Sequence, residues 1–428
     1  MRYKWTMIES EFREAVRSGL GRAILYAREN DVSVFRDIIL DACLHCYSAD
    51  AQSEGTRAPY MLELVNLTPD RESYCGEVLK ALHDSGDDWD AVQRFRFASY
   101  MAMDGDNRAR RAMYENFHPG PRMVEETGID FTRMDGLEGF LFAADKVGAL
   151  LITKPHEVDQ GSLLWHTIET FGEEQTLGVL RKTGETNPRV EAYRLAAEEH
   201  REKGGANELK EIRALTYAEL KPRLSEVRGH RLPWWGQDAS IEDLDLAARD
   251  LLMAQTSEEQ LIHLRIFGRR PFPLDHGSLL QLAASDDEPV SVVAARALAN
   301  IKHPDVRELA FRLVETRRPG REEAISMLAR NWTLGDHEIV LGWFEQEEDR
   351  VIRHGLGIDL RNFWKHHPDA ATEGRMLLNL YEKGPCSACR GFLLSRLIEL
   401  ESLPDSIREE WAYDANEDVR QLGLATSK

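Results

Sequence analysis

The segment from Asp286 to Glu315 constrains the fold more than any other part of the chain. It reads DDEPVSVVAARALANIKHPDVRELAFRLVE, with alanines, valines and leucines at helical spacing. Pro289 stands near the start of a helix, where its missing N–H costs nothing, and Lys302-His303-Pro304 separates the two halves. Asp305 is well placed to cap the second helix. We predict two antiparallel helices that pack through alanines and leave an apolar face for a neighbouring pair.

Degraded copies of this unit recur along the chain. Val290-Ser291 has counterparts in Val306-Arg307, Val351-Ile352 and Val419-Arg420, each heading a helical pattern, and Asn187-Pro188 begins a weaker copy. Their spacing fits repeats of roughly 30 to 35 residues. Apolar residues at i, i+3, i+4 and i+7 dominate elsewhere, and alternating strand patterns are nearly absent. The sequence therefore predicts an all-α fold built from repeated helix pairs.

Three stretches carry a resemblance to a known family. The Asp286–Glu315 hairpin resembles a short HEAT repeat of the kind abundant in bacteria. The sequences AVRSGLGRAILYAREN and AQSEGTRAPYMLELV near the amino terminus, and GPCSACRGFLLSRLIELESLP and YDANEDVRQLGLA near the carboxy terminus, are similar to a group of bacterial HEAT-repeat proteins. The resemblance implies a right-handed α-solenoid of antiparallel, HEAT-like helix pairs, and it implies no established activity.

Glycine, proline and tryptophan mark a change of organisation in the middle of the chain. Lys203-Gly204-Gly205 is flexible by composition, and residues 229–240 (GHRLPWWGQDAS) form a loop-like stretch. We therefore expect degenerate helical repeats over 1–203, an irregular connection over 204–240 and HEAT-like repeats over 241–428.

Composition limits the class of partner and the location. The 428 residues carry a formal net charge of −20, which argues against a nucleic-acid partner because such proteins normally present a basic face. Charges interrupt the amino-terminal stretch where a signal peptide needs an apolar core, and no apolar run is long enough for a membrane span. Five cysteines do not form a secreted disulfide framework. We expect a cytoplasmic protein with a protein or peptide partner, no membrane association and no cofactor.

The segment from Asp50 to Tyr60 concentrates polar and aromatic side chains where an edge loop of a repeat should lie. Its candidate binding residues are Gln52, Glu54, Arg57 and Tyr60. The i, i+3 spacing of Glu54 and Arg57 also fits a local ion pair that supports the helix.

Two tryptophans and two cysteine pairs complete the candidate sites. Trp234 and Trp235 are binding candidates if exposed, although a buried plug is favoured. Cys386 and Cys389 stand at a predicted helix start, where the dipole favours thiolate, so they are candidates for a redox or metal role. Structural packing between repeats is the favoured interpretation. A second pair, Cys43/Cys46, reads as core, and an open solenoid would keep it far from Cys386.

Motifs of catalysis are missing from the sequence. It contains no G-x-S-x-G, Walker loop, H-E-x-x-H or dinucleotide fingerprint, and we identify no catalytic residue and no metal site. We therefore expect a non-catalytic HEAT-repeat scaffold for protein–protein interaction. The alternative is a HEAT-fold nucleic-acid enzyme of the DNA glycosylase type, for which the candidate phosphate-binding clusters are Arg108, Arg110 and Arg111, or Arg317, Arg318 and Arg321.

Overall fold

The computed structural model describes residues 7–84, 88–118, 120, 123–155, 157–158, 161–203 and 205–426. Over these residues the chain consists of α-helices, short 3-10 turns and connections, and no β-strand occurs, which confirms the all-α prediction. None of the described helices combines the length and apolar character needed to cross a membrane. The chain divides into two compact units. Unit 1 comprises Met1–Lys203 and Pro385–Lys428, and unit 2 comprises Gly204–Gly384.

The helices are numbered in chain order. The first part of unit 1 contains α1 (Glu9–Ser18), α2 (Arg22–Glu29), α3 (Arg36–Leu44), α4 (Ala51–Glu54), α5 (Ala58–Asn66), α6 (Arg71–Lys80), α7 (Asp88–Met103), α8 (Asn107–Asn116), α9 (Val124–Thr153), α10 (Ser162–Phe171), α11 (Glu173–Gly184) and α12 (Pro188–Lys203). Unit 2 contains α13 (Gly205–Arg213), α14 (Tyr217–Leu220), α15 (Leu232–Asp238), α16 (Ile241–Met253), α17 (Ser257–Ile266), α18 (Gly277–Ala283), α19 (Glu288–Leu298), α20 (Pro304–Glu315), α21 (Ala324–Arg330), α22 (Asp336–Gln346), α23 (Arg350–His366) and α24 (Ala370–Lys383). The last part of unit 1 contains α25 (Ser387–Glu399), α26 (Asp405–Glu410) and α27 (Glu417–Thr426).

In unit 1, helix α9 organises the core and packs against α7, α10 and α12. Its backbone breaks at Asp135 and Gly136, where Gly136 adopts a φ of 61° that favours glycine. The hydroxyl of Tyr114 donates to Asp135 at 2.7 Å, so α8 is attached at this break. Phe131, on the first half of α9, packs edge-on against Phe117 with ring centroids 4.6 Å apart.

The two ends of the described chain meet within unit 1. The Gly19 carbonyl accepts a hydrogen bond from the Ala415 amide at 2.9 Å, and the Arg22 guanidinium pairs with the buried Glu410 carboxylate at 2.6 Å. Arg390 on α25 also donates to the Gly19 carbonyl, at 3.1 Å. The expectation that the chain ends stay far apart is therefore wrong. A pattern read along the sequence cannot show contacts between residues so distant in it.

Unit 2 has a regular order of contacts. Neighbours in sequence pack in pairs, α16 on α17, α18 on α19, α20 on α21 and α22 on α23. Some alternate helices also pack on one another, namely α15 on α17, α17 on α19 and α21 on α23. Between α19 and α23, the 3-10 turn Arg321–Glu323 contacts both helices. The range 204–240, expected to be an irregular connection, contains α13, α14 and α15 among its described residues.

The two helices predicted around residues 286–315 form as α19 and α20. Their pairing differs from the prediction, because α19 packs on α18 and α20 packs on α21. Asp287 caps α19 by accepting from the Val290 amide at 3.1 Å, with Pro289 in the first turn. The cap of α20 is His303 and not Asp305, because Pro304 already opens the helix and the His303 ring accepts the Asp305 amide at 3.2 Å. The helix thus begins two residues earlier than a capping Asp305 would allow.

A glycine at the junction of the two chain ends provides a test of unit 1. A Cβ on Gly21 would lie 1.8 Å from the Glu410 carbonyl oxygen, so Gly21→Ala must push the backbones apart. We expect the free energy of unfolding to fall by about 2–4 kcal/mol in urea titrations followed by circular dichroism. Gly76→Ala in α6 is the control, since its Cβ meets nothing within 4 Å and alanine favours helix by up to about 1 kcal/mol. Equal stability of the two variants would contradict the junction.

Candidate binding groove

A cavity of about 810 Å³ opens in unit 2 along the row of helices α17, α19, α21 and α23. A second cavity of about 400 Å³ shares Gly268 and Arg296 with it, so the two form one groove. Several polar lining residues lie near the carboxyl ends of three helices: Arg296 on α19, Arg330 on α21, and Asn362 and His366 on α23. The groove therefore follows the helix row and is not a pocket within one helix pair.

Most of the cations in this groove have no carboxylate partner. Lys302 and Arg330 are exposed and Arg265 is half-buried, and the described part of the chain offers none of the three an acidic residue within ion-pair distance. The exception is Arg296, which pairs with Glu323 at 2.7 Å. The lining thus carries an excess of positive charge in a chain whose net charge is −20. Such a local concentration of unpaired cations favours an anionic ligand.

Two carboxyl groups lie beside the guanidinium of Arg296. Burial raises the pKa of Glu323, while the Arg296 charge opposes that rise. Burial and the nearby Glu323 charge raise the pKa of Asp359 to about 7, against a smaller lowering by the Ser326 hydroxyl, which hydrogen-bonds the carboxyl. A single guanidinium cannot balance the charge of two carboxylates. Asp359 therefore binds a proton in part of the molecules near neutral pH.

The Asp359 carboxyl predicts an unusual dependence of stability on pH. Its pKa in the folded protein lies above the ordinary value of 3.8, so the folded state binds the extra proton and loses stability as the pH rises from about 4 to 7. Asp359→Asn should match the wild type near pH 4 and exceed its free energy of unfolding at pH 8 by about 2–4 kcal/mol. Urea titrations at the two pH values measure this. A variant less stable than wild type at pH 8 would contradict the assignment.

The candidate residues Glu54, Arg57 and Tyr60 lie in unit 1 and are buried. The Arg57 guanidinium pairs with Glu54 at 2.8 Å and donates to the Pro385 carbonyl at 2.9 Å. Glu54 accepts from both the amide and the hydroxyl of Ser387 at 2.7 Å. The Tyr60 hydroxyl donates to the Leu20 carbonyl at 3.0 Å. These three side chains join the amino- and carboxy-terminal segments of unit 1, and the ion pair considered for Glu54 and Arg57 is present.

Gln52, the fourth residue of that segment, is exposed on α4. Its position is consistent with binding, but the three partners expected beside it face the interior. The sequence places all four in one short segment, and the structure separates them into one exposed and three buried side chains.

Glu54 predicts the opposite pH dependence from Asp359. Burial alone would raise the pKa of Glu54, but Arg57 and hydrogen bonds from Asp50 and Ser387 lower it to about 2. Its stabilisation is therefore complete above pH 4.5 and is lost as the pH falls towards 2. We expect Glu54→Gln to cost about 3 kcal/mol in urea titrations at pH 7, with the difference from wild type shrinking in acid.

The exposed Glu115 supplies the control for that experiment. Glu115→Gln should change the free energy of unfolding by less than about 0.5 kcal/mol. A difference between Glu54→Gln and wild type that stayed constant from pH 7 to pH 3 would rule out the assigned role of the ionised carboxylate.

The two tryptophans of unit 2 lie in α15 and differ in exposure. Trp235 is fully buried, and its Nε1 donates to the Leu215 carbonyl at 2.8 Å. Trp234 is half-buried, with the Arg269 guanidinium 3.4 Å from its ring centroid. Trp235 fills the interior of unit 2, and Trp234 remains partly exposed with a cation over its ring.

Both candidate cysteines lie at the start of α25. Cys386 is buried at the N-cap position and Cys389 is half-buried in the first turn. None of the five cysteines forms a disulfide. Burial raises the pKa of Cys43 and of Cys46 in α3 and its following turn, so these two thiols are held in the uncharged form.

Five of the six arginines considered for phosphate binding pair with carboxylates, and Arg111 is exposed. Arg108 pairs with Asp106 and Glu72, and Arg110 pairs with Asp135. The carboxylate partners of Arg317, Arg318 and Arg321 are Glu348, Asp286 and Glu347, respectively. The unpaired cations of the groove come from separate helices and connections. They form no cluster in the sequence, so the sequence alone does not predict this cationic site.

Comparison of the chain with protein-family models, with curated proteins and with solved structures found no match.

Proposed function

We propose that the protein is a non-catalytic scaffold with a right-handed, HEAT-like α-solenoid arrangement, and that the groove of unit 2 binds an acidic segment of a partner protein. The packing of neighbouring helices in pairs, and of several alternate helices on one another, supports the repeat architecture, because stacked repeats contact their neighbours in this way. In such an array one helix row forms a continuous surface, which suits an extended ligand better than a compact one.

The unpaired cations of the groove carry this proposal. Lys302, Arg330 and Arg265 come from three successive parts of the helix row, and none of them has an acidic partner within ion-pair distance among the described residues. Asn362 adds a side-chain amide that can bind a peptide backbone, and Asn300, whose Nδ2 already donates to the Phe267 carbonyl at 3.1 Å, adds an amide oxygen. An acidic peptide satisfies these cations and amides together, whereas a basic peptide would meet repulsion.

A nucleic-acid function would also use the cationic groove, but it needs aromatic side chains beside the cations. Proteins that bind single strands or flipped bases stack them on aromatic side chains. Among the described residues that line the two cavities there is no Trp, Tyr or Phe. The Asp359 carboxyl near Arg296 is the observation that favours an enzyme of this kind, and a binding comparison separates the two.

The test measures fluorescence anisotropy with labelled acidic peptides of about 12 residues and with single-stranded DNA of equal charge. We expect the peptide to bind and the double variant Lys302→Glu/Arg330→Glu to weaken it about tenfold or more, with the affinity falling as salt rises. The control is Lys210→Glu/Arg312→Glu, which makes the same change in charge at two exposed residues outside the groove lining.

Two results would count against the proposal. If both double variants weaken the peptide equally, the groove has no special part in binding. If DNA binds much more tightly than the peptide and only the groove variant abolishes it, the nucleic-acid function takes its place.

A further inference from the structure

Two histidines and an aspartate gather at the starts of two helices in unit 2. His276 directly precedes α18, and His303 caps α20, in which Asp305 occupies the first turn. The two imidazole centroids lie 4.1 Å apart. Asp305 Oδ2 is 4.0 Å from His276 Nε2 and 3.6 Å from His303 Nδ1.

We propose that His276, His303 and Asp305 bind one divalent transition-metal ion of the zinc class. Two imidazole nitrogens and a carboxylate oxygen form a donor set that such ions prefer over Mg²⁺ or Ca²⁺. One ligand atom from each residue lies within 4.8 Å of the other two. Zinc–nitrogen bonds of about 2.0–2.1 Å place ligand atoms roughly 3.3 Å apart, so the side chains need to close by at most about 1.5 Å.

The surroundings of Asp305 favour a cation at this point. Its only ion-pair partners among the described residues are the two histidines, and no Lys or Arg balances the carboxylate. The side chains of His276 and His303 are 19% and 40% exposed, so an ion can enter from solvent while one face of the site stays covered.

One nitrogen of the His303 ring already accepts a backbone hydrogen bond. Its Nδ1 accepts the Asp305 amide, so the metal takes Nε2, or takes Nδ1 and replaces this cap hydrogen bond. Either arrangement links the starts of α18 and α20. Three protein ligands leave a coordination position for water or for a group of a bound partner.

The experiment compares zinc binding by the wild-type full-length chain with zinc binding by two variants, after a chelator has removed bound metal from each. Isothermal titration calorimetry with Zn²⁺ gives the number of ions bound, and thermal unfolding gives the metal-dependent shift in Tm. We expect His276→Ala and Asp305→Asn each to bind one zinc ion fewer than the wild type, or to bind it at least 100-fold more weakly. For both variants, zinc should raise the Tm less than it raises the Tm of the wild type.

The variants and the control keep the result interpretable. The His276 side chain makes no cap hydrogen bond, so His276→Ala should fold like the wild type, which circular dichroism checks. His83→Ala, at an exposed histidine beside Asp84 in unit 1, should bind as many ions as the wild type. Absence of zinc binding to the wild type, or an equal number of ions bound with equal affinity by wild type and His276→Ala, would overturn the proposal.

Discussion

The buried ion pair between Arg390 and Asp414 is the constraint on which unit 1 depends. Both side chains are fully buried, and Nε and Nη2 of Arg390 donate to the two oxygens of Asp414 at 2.8 and 3.0 Å. The same guanidinium binds the Gly19 carbonyl, so one charge pair fixes the turn after α1 to the carboxy-terminal helices. Such a pair adds little net stability, but losing one partner leaves a buried charge that costs about 3–5 kcal/mol. The pair therefore selects one pairing of the chain ends over others.

Local features of the fold were predictable from the sequence, whereas long-range ones were not. The apolar spacing of residues 286–315 and Pro289 predicted α19 and α20, because helix starts and faces depend on neighbours within a few residues. The burial of Glu54 and Arg57 depends on Ser387 and Pro385, and no local pattern records those contacts. Likewise Lys302 and Arg330 reach one groove only because successive helices pack in a row.

The carboxyl groups of Glu54 in unit 1 and Asp359 in unit 2 have pKa values shifted in opposite directions. Glu54 is held ionised by an adjacent guanidinium and by hydrogen bonds, so it acts as a fixed charge in the interior of unit 1. Asp359 lies near a guanidinium already paired with Glu323, and burial favours its protonated form. A protonated Asp359 compensates less of the charge of the nearby Arg296, which lines the groove, and this strengthens attraction for an acidic segment at or below neutral pH.

The central claim is that the helix row of unit 2 is the binding surface. Hydrogen–deuterium exchange of the full-length chain, with and without an acidic peptide found to bind, tests this claim most directly. We predict slower exchange on peptide binding in residues 296–302, 323–330 and 359–367, with α16 and unit 1 unchanged. Protection confined to unit 1, or to α16 and α18, would show that the partner binds elsewhere and would contradict the account.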